Sequence, residues 1–137
     1  MAKQSAMFQE INFIASMVLG GVGDAMGYKN GRWEFNTDGT AIHKQAQNLG
    51  GVANLELKDW IVSDDTVMAI ATAETLIEAA KKIENPILLP LLAKKYVECM
   101  NHMQGRAPGG CTMDSTRYIE QGKAIDGYRI PFNPRLF

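Results

Sequence analysis

A chain of 137 residues, 46% hydrophobic and 21% charged, has the size and composition of one ordinary globular domain and is too apolar for a disordered one. Its 14 Lys and Arg stand against 15 Asp and Glu, and with the basic residues scattered the net charge of -1 excludes the electrostatic footprint of a nucleic-acid binder. Cys99 and Cys111 form neither a C-x-x-C pair nor a ladder, so reduced thiols and a cytoplasmic setting are expected.

In chain order, the first predicted element is a helix on which Met7, Ile11, Ile14, Val18 and Val22 recur at steps of three and four. The apolar stretch from Ile11 to Val22 is too short to cross a bilayer, so no membrane partner is expected. Gly20, Gly21 and Gly23 are expected to stop the helix, with Asp24-Ala25-Met26-Gly27 as a tight polar exit in which Asp24 forms a turn. From Tyr28 to Trp60 the pattern is irregular, with turns at Asn30-Gly31, Asp38-Gly39 and Gly50-Gly51 and a short helix from Thr40 to Leu49. A loop this long in a small domain commonly carries function.

A strong helix is predicted from about Asp65 to Ile83, with Ala69, Ala73, Leu76, Ala80 and Ile83 as its stripe and the apolar half from Val67 to Ala73 deeply buried. The next helix starts between Pro86 and Pro90, buries Leu89, Leu92, Tyr96, Cys99 and Met103, and ends at Gly105. The glycine-rich loop Arg106-Ala107-Pro108-Gly109-Gly110 then opens a short helix near Thr112, ahead of an extended tail from Gly127 to Phe137. No run alternates with period two, so the fold class is all-α.

Among groups that carry chemistry, Ser63-Asp64-Asp65-Thr66 comes first. Four oxygen-bearing side chains in a row suit a hard cation such as Mg²⁺, and the same residues suit a plain helix start, where Ser and Asp cap and acids compensate the macrodipole. Glu34, between Trp33 and Phe35, is either a desolvated ligand or acid, or a solvated loop glutamate with its aromatic neighbours docked on the core. The loop from Gly105 to Gly110 either presents backbone N–H groups to an anion or is a plain helix-to-helix turn, with Arg106 beside it. His43 and His102 lack ligand-spaced partners, which leaves zinc and nucleophilic triads unsupported.

Several runs, in order, resemble the ADP-ribosylglycohydrolase family and within it the ADP-ribosylarginine hydrolases. They are Gly20-Gly21-Val22-Gly23-Asp24-Ala25-Met26-Gly27-Tyr28, Asn30-Gly31-Arg32-Trp33-Glu34-Phe35, Val62-Ser63-Asp64-Asp65-Thr66-Val67-Met68, Ala71-Thr72-Ala73-Glu74, Gly105-Arg106-Ala107-Pro108-Gly109-Gly110 and Arg129-Ile130-Pro131-Phe132-Asn133. The resemblance implies a compact helical fold around two Mg²⁺ ions and hydrolysis of the bond between ADP-ribose and an arginine side chain. Carried onto this chain, it makes Ser63, Asp64, Asp65, Thr66 and Glu34 metal ligands and Asp65 and Asp64 the catalytic carboxylates. Arg106, Gly109, Gly110 and Asn133 would bind substrate, and ADP-ribosylated arginine or protein would be the partner.

Family members are much longer. The run Asn133-Pro134-Arg135-Leu136-Phe137 departs from their glycine-rich phosphate-binding helix start, and no Asp-x-Asp occurs among Asp24, Asp38, Asp59, Asp64, Asp65, Asp114 and Asp126 to match their second metal motif. Residues 1–137 are therefore expected to be the N-terminal part of a single domain, cut after about four helices, inactive or incomplete, and holding at most one weakly bound Mg²⁺. Uncovered apolar surface is expected to drive self-association. The alternative is a non-catalytic truncated homologue, an interaction module or nonfunctional variant whose inherited motif serves only as a helix cap.

Overall fold

The computed structural model describes residues 2–79 and 85–130, with side chains described for 10–79 and 86–130. Among the described residues the chain is helical, with five α-helices and a single isolated antiparallel bridge between Ile125 and Arg129. It divides into two compact units, Met1–Ser63 and Asp64–Phe137.

The first unit begins with α1 (Ala2–Tyr28), which runs straight through the glycines expected to end it. A Cβ at Gly20, Gly23 or Gly27 would meet nothing within 4 Å, so these glycines accommodate no close neighbour and only weaken the helix they sit in. The helix stops where Lys29, Asn30 and Gly31 take positive φ in succession. Asn30 then clamps the segment back: its amide donates to the Asp59 carbonyl at 3.0 Å, and its Oδ1 accepts from the Ile61 N–H at 2.8 Å. Helix α2 (Gly39–Asn48) starts on Asp38, whose carboxylate accepts the Ala41 N–H at 3.0 Å, a cap where the sequence suggests a turn.

The unit's aromatic centre is the edge-on pair Trp33 and Trp60, with ring centroids 5.5 Å apart. Trp33 is buried and donates its indole N–H to Gln45 Oε1 at 3.0 Å. The Lys29 ammonium lies 4.2 Å from one ring centroid and 5.1 Å from the other. Desolvation, and then the charge of Arg32, hold Lys29 below the ordinary lysine range, against the pull of the two indole faces.

In the second unit α3 (Asp64–Ala79) packs on α4 (Asn85–Cys99), and α4 packs on α5 (Gly110–Glu120). The buried face of α3 is Ala71, Thr75 and Ala79, which shares no residue with the predicted stripe; Leu76 and Ala69 are exposed and Ala73 is half-buried. Val67 to Ala73 is likewise not deeply buried, since Ile70 is exposed and only Ala71 is fully covered. Thr75, fully buried, satisfies its hydroxyl on the Ala71 carbonyl at 2.7 Å, so it costs little in an apolar setting. Ala80 and Ile83 of the predicted stripe lie outside the described residues.

Helix α4 starts at Asn85, so Pro90 lies inside it rather than in its first turn and leaves the Pro86 carbonyl without the usual helical donor. The core here is Ala71, Cys99 and Met103, with Val67, Met68, Tyr96 and Met100 packed around it. The predicted Leu89, Leu92 and Tyr96 are only half-buried. Tyr96 and Thr72 share a hydrogen bond at 2.9 Å across α3 and α4, and Lys95 reaches Glu78 at 3.3 Å and Glu74 at 3.9 Å. A single 3₁₀ turn, Met100–His102, ends the helix.

Candidate functional site

Helix α3 begins at Asp64, which puts Ser63 at the cap position and both carboxylates in the first turn. A helix start leaves its first amides without an intrahelical acceptor, and here two of them are taken from outside the helix. Within the first unit the Ser63 N–H donates to Asp24 Oδ2 at 2.8 Å. Within the second, the Asp64 N–H donates to the Arg106 carbonyl at 3.1 Å. Ser63 is 3% exposed, Asp64 and Thr66 are half-buried, and Asp65 is exposed. Because the serine occupies the cap position, the start of α3 does not require two adjacent aspartates as caps.

Asp24 is not a turn residue. It sits in the closing turns of α1, and its carboxylate holds a backbone amide 39 residues further along the chain. Local sequence shows only its Gly23-Asp24-Ala25-Met26-Gly27 setting, which suits a turn as well as a helix end; its partner is too distant for any spacing rule to reveal.

The second unit brings the loop of Arg106, Gly109 and Gly110 to the start of α3 through the Arg106 carbonyl. The loop's shape rests on positive φ at Gly105 and Ala107, on the Arg106 N–H bound to the Met103 carbonyl at 3.0 Å, and on the Arg106 Nε–H bound to the His102 carbonyl at 2.9 Å. Gly109 caps α5 and has no side chain to occupy the helix's first amides. Glu34, in the first unit, is exposed, and Phe35 beside it is 65% exposed, so neither the desolvated acid nor a docked phenylalanine is what the fold makes; only Trp33 is buried. Asn133 lies outside the described residues.

A family model for ADP-ribosylglycohydrolase matches residues 8–134. The chain belongs to the ADP-ribosylglycohydrolase family. It is 43% identical over 130 residues to ADP-ribosylhydrolase ARH1 of Dictyostelium discoideum, a match that covers 90% of this chain and 33% of that protein. It is 29% identical over 123 residues to L444 of Acanthamoeba polyphaga mimivirus, assigned as an ADP-ribosyl glycohydrolase, covering 82% of this chain and 23% of that one. The chain thus spans about a third or less of the length of these ADP-ribosylglycohydrolase relatives.

The family resemblance implies Mg²⁺, and the donor chemistry at the start of α3 fits it. Two carboxylates and a threonine hydroxyl are hard oxygen donors, and an ion that keeps several waters needs only one or two carboxylates from the protein. Two full negative charges also outweigh the partial positive charge, about half a unit, at a helix N-terminus. Among the described residues no three His, Cys, Asp or Glu side chains cluster.

Proposed function

We propose that this chain carries the first acidic cluster of a Mg²⁺-dependent hydrolase that cleaves the N-glycosidic bond between ADP-ribose and arginine. The observation that carries the reading is the bond from the Asp64 N–H to the Arg106 carbonyl, which ties an acid pair and a glycine-rich loop together within one unit. Family membership supports the ADP-ribose part, and the likeness of the motifs to the ADP-ribosylarginine hydrolases supports arginine as the aglycone.

In this reading Asp64, Asp65 and Thr66 hold the ion. When bound, Mg²⁺ supplies a Lewis acid for the ribose hydroxyls and lowers the pKa of a coordinated water. The exposed Asp65 carboxylate accepts the hydrogen of the attacking water and aims it at ribose C1″, where positive charge builds as the bond to the guanidine nitrogen lengthens. The amides of Gly109 and Gly110 and the charge of Arg106 face the diphosphate, the anion that such a helix start favours.

A second reading is a non-catalytic homologue whose acidic run serves as a helix start, and the place of Asp64 and Asp65 in the first turn of α3 fits it. In that reading substrate is not positioned for reaction, a loss on the order of 7 kcal/mol of a barrier, and turnover is slower by several powers of ten. The test has two arms. Melting in millimolar Mg²⁺ should rise by a few degrees over melting in chelator, since ten times the dissociation constant contributes about 1.4 kcal/mol, and Asp64→Asn with Asp65→Asn should abolish the rise. Release of ADP-ribose from ADP-ribosylated arginine is then measured against the double variant as blank. A metal-dependent rise without turnover assigns the chain to the second reading; absence of the rise in the wild type sinks the metal site itself.

A further inference from the structure

We infer that Asp24 is a positioning residue for the Ser63–Thr66 run, an inference that rests on the metal reading above for its purpose though not for its geometry. Its carboxylate accepts the Ser63 N–H at 2.8 Å across 39 residues of sequence. Ser63 is buried at 3% exposure, so its amide, if released, has little water to turn to. A charge-assisted bond to a covered amide is among the stronger single hydrogen bonds in a protein. It holds the backbone at Ser63, the residue that opens the run and precedes Asp64 in the chain.

Asp24 is suited to this role by its place in the chain. It stands in the last turns of α1, where Ala25 beside it and Tyr28 one turn further on are buried at 5% and 4%. A carboxylate on a well-packed helix end is a better clamp for a covered amide than one on a loop, because fewer torsions need to be frozen to make the bond. Asp24 touches the backbone of the run, and its effect on a bound ion would pass through Ser63.

The experiment compares wild type with Asp24→Ala and the conservative Asp24→Asn, which keeps a carbonyl oxygen at the same reach. Amide hydrogen exchange is read residue by residue in the absence of metal, and Mg²⁺ affinity is measured by calorimetry. In Asp24→Ala, exchange at Ser63 should speed up at least tenfold while Ala46, buried in α2 of the same unit, keeps its rate. Mg²⁺ affinity should fall about tenfold, the usual cost of losing a group that orients a ligand, and Asp24→Asn should recover most of both effects. Unchanged exchange at Ser63 in the alanine variant overturns the inference whatever the metal does. So does faster exchange at Ser63 and Ala46 alike in both variants, which marks a general stabiliser. Faster exchange confined to Ser63, in a protein whose wild type binds no Mg²⁺, upholds the positioning role and removes the metal reading instead.

Discussion

Cys99 shows how one side chain reads out the packing around it. Its thiol is buried and donates to the Tyr96 carbonyl at 3.2 Å and to Met68 Sδ at 3.5 Å, and burial pushes its pKa above the ordinary thiol range. In the unfolded chain the thiol ionises first, so between the ordinary and the raised value the unfolded state holds fewer protons than the folded one. Stability from this group is therefore intact below the ordinary thiol pKa and is lost as pH climbs through the raised one. Urea unfolding of wild type and Cys99→Ala across that window should show the wild type losing ground only at the alkaline end; at neutral pH the substitution should cost about 1 kcal/mol. Equal slopes for the two proteins would place the thiol in water. Of the candidate run, Ser63, Asp64, Asp65 and Thr66 stand out in the sequence because they are contiguous, whereas the acceptor of the Ser63 N–H, Asp24, lies 39 residues away in the first unit and that of the Asp64 N–H, the Arg106 carbonyl, 42 residues away in the second. Only the fold brings such partners together.

At the scale of elements, helix existence was legible from period and punctuation, while boundaries and buried faces were less so. Glycines were read as stops in α1, yet a helix ends where its backbone turns left-handed, and that happens at Lys29, Asn30 and Gly31. Gly20 is interior and open, so Gly20→Ala should stabilise α1 by about 1 kcal/mol and raise helicity measured by circular dichroism. A fall in helicity would mean that something does approach this glycine closely. In α3 the four-residue period was visible but its phase was misread, because a ranking by hydrophobicity favours Leu76 over Thr75. The buried face is instead Ala71, Thr75 and Ala79, where a threonine bonded to its own helix behaves as a small apolar residue.

Across the whole molecule, apolar surface is distributed unevenly. Ile11, Phe13, Ile14, Val18 and Leu19 on α1 are each more than half exposed, with Phe13 at 76%, and Ile77 on α3 is exposed to the same extent. These α1 residues project on several sides of the helix rather than along one stripe, the pattern of an element meant to be covered. A surface of this kind should make the isolated chain self-associate and bind a hydrophobic dye, with both effects growing with concentration. A sharp monomeric peak in size-exclusion chromatography with light scattering, and no dye fluorescence, would contradict this.

The tryptophan pair has a consequence for any such measurement. The chain contains two tryptophans, and both, Trp33 and Trp60, stand edge to face in the first unit with an ammonium group over them. Intrinsic tryptophan emission thus comes from side chains of the first unit, while far-ultraviolet ellipticity sums the helices of both units. A single melting curve from fluorescence is a curve for half of the chain, and agreement or disagreement between the two optical probes measures whether the units unfold as one cooperative body.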